Sequence, residues 1–170
     1  MERLRDSRTR DHAFRDLLEL YQERIYWHIR KFVFEHEDAN DIVQNTFIKA
    51  YRGLDGFKGD AKIYTWLYRI ASNESITFLN KNKKRQSGSL DAAQALEADA
   101  FFDGDEAQMM LQKALGELPD KQRLVFNMKY YDDMTYQQMS EILDTSVGAL
   151  KASFHHAVKK IEFYFKKVQI

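Results

Sequence analysis

Between positions 11 and 34 apolar residues recur at Phe14, Leu17, Leu18, Tyr21, Ile25, Ile29 and Phe32. That three-and-four spacing is one face of an amphipathic helix. Acidic residues at Glu35, Glu37 and Asp38 suit the start of a second helix, where a carboxylate complements the helix dipole. This helix is predicted to bury Ile42, Val43, Thr46, Phe47, Ala50, Tyr51 and Leu54, and to expose Asp41, Gln44, Asn45, Ile48 and Arg52. Gly53, Gly56 and Gly59 then mark a loop, since glycines at this density relieve steric limits on the backbone. A third helix is predicted from Lys62 to about Leu79, with Ile63, Trp66, Leu67, Ile70 and Ile76 inward and Tyr64, Tyr68, Arg69 and Asn73 at the surface. The basic cluster Lys81, Lys83, Lys84 and Arg85 follows it.

Residues 87–105 have no sustained period and are rich in Ala, Ser, Gly and Asp, as a flexible linker would be. Phe101 and Phe102 within it are candidate anchors onto a domain. Helical periodicity returns at Met109, Met110, Ala114, Leu115 and Leu118. Pro119 is expected to open the next helix in its first turn, with Val125, Phe126 and Met128 in the core. Thr135 is placed to cap a short helix ending at Leu143, and Asp144, Thr145 and Ser146 form a turn. The last helix repeats Val147, Leu150, Phe154, Val158, Ile161 and Phe165. A short helix, a tight turn and a longer amphipathic helix make a helix-turn-helix. The fold class is therefore all-α, with an N-terminal helical bundle (1–86), an acidic linker (87–105) and a C-terminal helix-turn-helix domain (106–170).

Charge sharpens this division. The chain is neutral as a whole, but residues 1–86 hold 17 Lys and Arg against 13 Asp and Glu, residues 87–120 hold 1 against 8, and residues 121–170 hold 8 against 5. Two basic modules thus flank an acidic segment. There is no cysteine, which excludes disulfides and thiolate metal sites. The charged N-terminal stretch lacks the apolar segment of a secretory signal, and no apolar run reaches the ~20 residues that span a bilayer. The expectation is a soluble cytoplasmic protein.

The chemistry points to nucleic acid. Glycine spacing in the loop does not match a phosphate-cradling motif, and no strand precedes it. Acids are scattered over solvent faces and the linker, without the convergent set that a helical enzyme needs. His155 and His156 are sequence neighbours, and adjacent helix positions do not converge on a metal. Neither a metal nor another cofactor is expected. Aromatic rings beside Arg and Lys on the third helix are what single-stranded nucleic acid requires, rings for unstacked bases and cations for phosphates. Packing of the same rings in a core is the plainer alternative, and Trp66 stays open between the two. On the last helix, Lys151, Ala152, Ser153, His155, His156, Lys159 and Lys160 face away from the apolar stripe, with short side chains that allow close approach to a major groove.

Taken together, these segments resemble the bacterial RNA polymerase sigma factors of the extracytoplasmic-function class. Asp41-Ile-Val-Gln-Asn-Thr-Phe47, Phe57-Lys-Gly-Asp60 and Thr65-Trp-Leu-Tyr-Arg-Ile-Ala71 with Asn73 are similar to region two. Leu118-Pro119, Tyr136-Gln-Gln-Met-Ser-Glu-Ile142 and Val147-Gly-Ala-Leu-Lys151 are similar to region four. The resemblance implies a non-enzymatic, dissociable initiation subunit. Its partners would be core RNA polymerase (clamp helices of the largest subunit, and the flap), promoter DNA, and an anti-sigma factor, soluble or membrane-bound.

By the same resemblance Asp41, Gln44, Asn45 and Ile48 would meet polymerase. Lys49, Phe57, Ile70 and Asn73 would hold a flipped base of the minus-ten element, with Lys81, Lys83, Lys84 and Arg85 on its phosphates. Lys151, Ala152, Ser153, His155, His156 and Lys159 would read the minus-thirty-five duplex. Three departures matter. Asn45 stands where many relatives carry an acid, Trp66-Leu67 replaces the paired tryptophans of primary sigma factors, and His155 and His156 replace common arginines. The second departure implies a narrow promoter set. A free-standing helix-turn-helix regulator is the alternative function, and it leaves residues 38–85 without a role.

Overall fold

A computed structural model describes residues 4, 6, 8–33, 35–57, 59, 61–86 and 106–168, with the side chains of 83–86, 106 and 108 outside that description. Among the described residues there are seven α-helices, one short 3-10 turn and no strand. The acidic segment 87–105, with Phe101 and Phe102, lies outside them. Contacts divide the chain into two units, Met1–Phe78 and Leu79–Ile170.

In the first unit, α1 (Arg10–Arg30) lies along α2 (His36–Gly53). Phe14, Leu17, Ile25 and Ile29 of α1 and Ile42, Phe47 and Ala50 of α2 are buried, as their spacing predicts. Phe14 meets Phe47 and Tyr51 edge-on, with ring centroids 6.3 and 5.1 Å apart. Tyr51 itself departs from the predicted core. It is 39% exposed, because its hydroxyl leans outward to donate to the Asp11 carboxylate at 2.6 Å. Leu54 is buried, but in the 3-10 turn Leu54–Gly56 beyond the helix end. An ion pair from Arg10 to Asp55 ties the start of α1 to this turn. Gly59 follows with φ of 85°, a left-handed angle that a Cβ would make costly.

The third helix, α3 (Ile63–Gln86), is longer than its predicted end near Leu79. No Gly or Pro interrupts Leu79 to Gln86, and Lys, Arg and Gln sustain a helix well. The division between the units falls within it. Its buried face also differs from the predicted one. Thr65, Leu67, Tyr68, Ala71, Ser72 and Ser75 are buried, whereas Ile63, Trp66, Ile70 and Ile76 are only half-buried. Two of the buried polar side chains have partners. Ser72 Oγ lies 3.0 Å from the buried His28 Nε2, and Ser75 Oγ donates to the Ala71 carbonyl at 2.9 Å. Tyr68 closes over His28, with ring centroids 4.7 Å apart.

The second unit contains α4 (Glu106–Gly116), α5 (Asp120–Tyr130), α6 (Tyr136–Leu143) and α7 (Val147–Val168). Ala114, Leu115, Leu118, Phe126, Ala157 and Ile161 form its central cluster, with Phe154, Val158 and Phe165 against it. Pro119 sits one position ahead of its predicted place. It is the extended N-cap residue of α5, with ψ of 140°. Arg123 is buried beside Asp120 at 3.6 Å. Burial lowers its pKa from the ordinary value, and the Asp120 charge opposes that shift.

Thr135 caps α6 as predicted, and does so reciprocally. Its hydroxyl accepts from the Gln138 N–H at 3.2 Å, while Gln138 Oε1 accepts from the Thr135 N–H at 2.8 Å. This capping box satisfies two otherwise orphaned donors. Thr135→Ala is expected to cost the second unit about 1 kcal/mol, read as a lower urea midpoint with an unchanged slope. Asp144 ends α6 at φ of 50°, a left-handed position that short polar side chains tolerate. Ser146 Oγ then accepts from the Ala149 N–H at 3.3 Å and starts α7.

Candidate nucleic-acid and polymerase interfaces

Where α2 ends against α3, the chain forms a cavity of 390 Å³ lined by Lys49, Gly53, Gly56, Trp66, Ile70, Asn73 and Glu74. This volume falls within the ~300–1,000 Å³ of small-ligand sites. Helix periodicity explains the lining. Lys49 and Gly53 are four apart on α2, and Trp66, Ile70, Asn73 and Glu74 follow one face of α3. Three residues expected to hold a base, Lys49, Ile70 and Asn73, therefore come together. Phe57, the fourth, is placed differently. It is 8% exposed and stacks on Trp66 with centroids 4.7 Å apart and planes 26° from parallel. Phe57 is thus a support under the indole, and Trp66 supplies the aromatic wall.

Gly53 makes this wall possible. A Cβ at that position would stand 3.2 Å from Trp66 Cζ2, a distance at which the ring has to move. The cavity offers apolar surface from Trp66 and Ile70, an amide from Asn73 that both donates and accepts, and an ion pair between Lys49 and Glu74. Trp66, Glu74, Gly53 and Gly56 were not predicted as its lining. Position 66 lies one and two turns before Ile70 and Asn73, so a helical projection centred on Asn73 contains the signal.

The outer face of α2 carries Asp41, Gln44, Asn45 and Ile48, all exposed as predicted. Ile48 is 41% exposed, a large apolar group within a polar stripe. At the head of this face, Asp38 has its pKa raised above the ordinary value, first by partial burial and then by Glu35, Asp41 and Glu37. The face is therefore acidic at one end and apolar at the other. On α3, Lys81 is exposed, and the side chains of Lys83, Lys84 and Arg85 lie outside the description.

On α7, Leu150, Ala157 and Ile161 turn inward. Lys151, Ala152, His155, His156 and Lys159 are exposed and Ser153 is half-buried, so the expected reading face is continuous. His155 and His156 have ring centroids 6.2 Å apart, and no set of three potential metal-binding side chains occurs among the described residues. Tyr136 was missed by sequence reasoning. Its ring stands 5.8 Å from the ammonium of Lys151 and 5.8 Å from that of Lys129, within cation–π reach. No helix among the described residues is long and apolar enough to cross a membrane.

Comparison with known proteins covers both units. Residues 17–85 match Sigma-70 region 2 and residues 108–161 match Sigma-70, region 4. The chain is 30% identical over 165 residues to the ECF RNA polymerase sigma-E factor of Escherichia coli strain K12, covering 88% of this chain and 85% of that one. It is 34% identical over 158 residues to the ECF RNA polymerase sigma factor SigW of Bacillus subtilis, covering 84% and 83%. In fold it is similar to the sigma factor RpoE of Bartonella quintana, solved with the anti-sigma factor NepR, at a TM-score of 0.69 and 22% identity over 91% of this chain and 97% of that one. It is likewise similar to CnrH, solved with the cytosolic domain of CnrY, at 0.66 and 24% over 92% and 90%. With both regions matched and full-length relatives at this identity, the chain belongs to the extracytoplasmic-function sigma factors, alternative sigma factors that direct promoter recognition at transcription initiation.

Proposed function

We propose that the chain carries out this role through three separate surfaces. The outer face of α2 (Asp41, Gln44, Asn45 and Ile48) docks on the clamp helices of core RNA polymerase. The cavity between α2 and α3 holds one extruded base of the minus-ten non-template strand, with Lys81, Lys83, Lys84 and Arg85 on neighbouring phosphates. Residues Lys151, Ala152, Ser153, His155, His156 and Lys159 of α7 read the minus-thirty-five duplex, with the second unit docked on the polymerase flap. The observation that carries this reading is the cavity, where Lys49, Ile70 and Asn73 stand around an indole held by Phe57. Flipping a base costs a few kcal/mol, and stacking on an aromatic ring returns about 1–3 kcal/mol.

An anti-sigma factor as regulator is supported by the similar fold of the Bartonella quintana sigma factor, solved with the anti-sigma factor NepR. The chain acts in the compartment of its polymerase, by binding and without catalysis of its own. A free-standing helix-turn-helix regulator fits α6 and α7 but gives the cavity and the α2 face no work.

Reconstitution with core polymerase followed by transcription-start mapping on genomic DNA tests the reading. A discrete set of starts is expected, absent with core enzyme alone. Asn73→Ala is expected to lower open-complex formation roughly tenfold, the loss of about 1–2 kcal/mol of hydrogen bonding, while polymerase association stays unchanged in a gel-shift or anisotropy titration. Loss of association instead places the pocket on the wrong face.

A further inference from the structure

One part of the cavity is unexpected in a site for a polyanion. Lys49 is joined in an ion pair to Glu74, and the two differ in cover, with side chains 57% and 16% exposed. The cation sits at the mouth and the carboxylate sits deeper, in the lining of the same cavity. An anion there repels the approaching strand, which is costly unless it improves selection.

Single-stranded DNA offers one phosphate for every base. A bare ammonium at the mouth seats whichever arrives first, so a phosphate can enter in place of a base and leave the strand out of register. With Lys49 held by Glu74, the local charge is close to zero. A phosphate must then displace the carboxylate from Lys49 and lie beside it, against like-charge repulsion. An uncharged base meets no such barrier. Its Watson–Crick edge always sets a donor beside an acceptor, and the ion pair presents an acceptor beside a donor.

We propose that Glu74 is a specificity-determining residue of this cavity, holding Lys49 so that the site admits an uncharged base and excludes the phosphate backbone. The inference rests on the base-capture reading above. It gives α3 two functions one residue apart, with Asn73 contacting the base and Glu74 rejecting the backbone.

The test uses the full-length chain assembled with core polymerase and two short fluorescein-labelled single strands. One is of mixed sequence, and the other has the same sugar-phosphate backbone without bases. Affinities are read by anisotropy across a KCl titration. The unaltered protein is expected to prefer the base-bearing strand. Glu74→Gln, which keeps shape and removes charge, is expected to raise affinity for the abasic strand by up to about fivefold at low salt. It also steepens the salt slope for that strand by about 0.7, the signature of one more phosphate contact on a single strand. Adding Lys49→Ala to Glu74→Gln removes both gains.

Two results overturn the proposal. One is a gain that persists in the double variant, which makes Glu74 a source of general repulsion acting without Lys49. The other is no change in Glu74→Gln while the unaltered protein still prefers bases. Equal binding of the two strands by the unaltered protein is a different failure, since it removes the base-capture reading on which the proposal stands.

Discussion

Trp66→Ala lowers promoter opening by the reconstituted holoenzyme about tenfold to a hundredfold, while polymerase association is unchanged. The magnitude follows from base–aromatic stacking, worth about 1–3 kcal/mol when the ring is truncated. Its direction follows from placement. The indole is half-buried, lines the cavity beside Ile70 and Asn73, and stacks on Phe57. Permanganate reactivity of unpaired thymines measures the opening, and anisotropy with labelled core enzyme measures association. Trp66→Phe keeps a ring in the wall and recovers part of the activity. If alanine and phenylalanine are equally defective and both lower the melting temperature, Trp66 serves the core and its place in the wall is incidental.

Phe126→Ala is expected to cost the second unit about 3–5 kcal/mol, the usual range for deleting a buried ring. Phe126 belongs to the central cluster that α4, α5 and α7 share. It stacks on Phe154 of α7 and on Tyr130, with centroids 5.7 and 5.2 Å apart. Hydrogen exchange should accelerate across α4 to α7 while α1 and α2 keep their protection, because the two units have separate cores. Recognition of the minus-thirty-five duplex should fall with it, and binding of a single-stranded minus-ten oligonucleotide should persist. Equal loss of protection in both units would mean that the chain unfolds as one cooperative body.

The parts of this fold legible in the sequence are those decided by local chemistry. Thr135 followed by Gln138 specifies a capping box whatever surrounds it. The α7 stripe has one clear period, and its inward and outward faces emerge as expected. The outer face of α2 was equally plain, since Asp41, Gln44, Asn45 and Ile48 fall on one side of a strongly amphipathic helix. On α3 hydrophobicity misled. Its isoleucines and tryptophan look like the core face, but the face turned inward carries Thr65, Ser72 and Ser75. Ser75 bonds locally to the Ala71 carbonyl, but Ser72 is matched by His28, 44 residues away in the chain. Such pairing over long sequence separation leaves no periodic trace.

The cavity was half legible for a related reason. Family resemblance singled out Lys49, Ile70 and Asn73 by position. Glu74, as a lone acid, carries no motif, and it becomes informative only once α2 brings Lys49 to it. Phe57 was expected in the pocket lining and instead stacks on Trp66, which lines it.

Gly53 carries a consequence for how such proteins diverge. It lines the cavity through its backbone alone, and it bears no functional group. Yet a carbon there would stand 3.2 Å from the indole, so its absence is what lets Trp66 lie against the end of α2. Addition of a single methyl group there requires the ring to shift by a few tenths of an ångström, a change that close-packed side chains feel. On the base-capture proposal, promoter preference can therefore drift through a residue that has no side chain of its own.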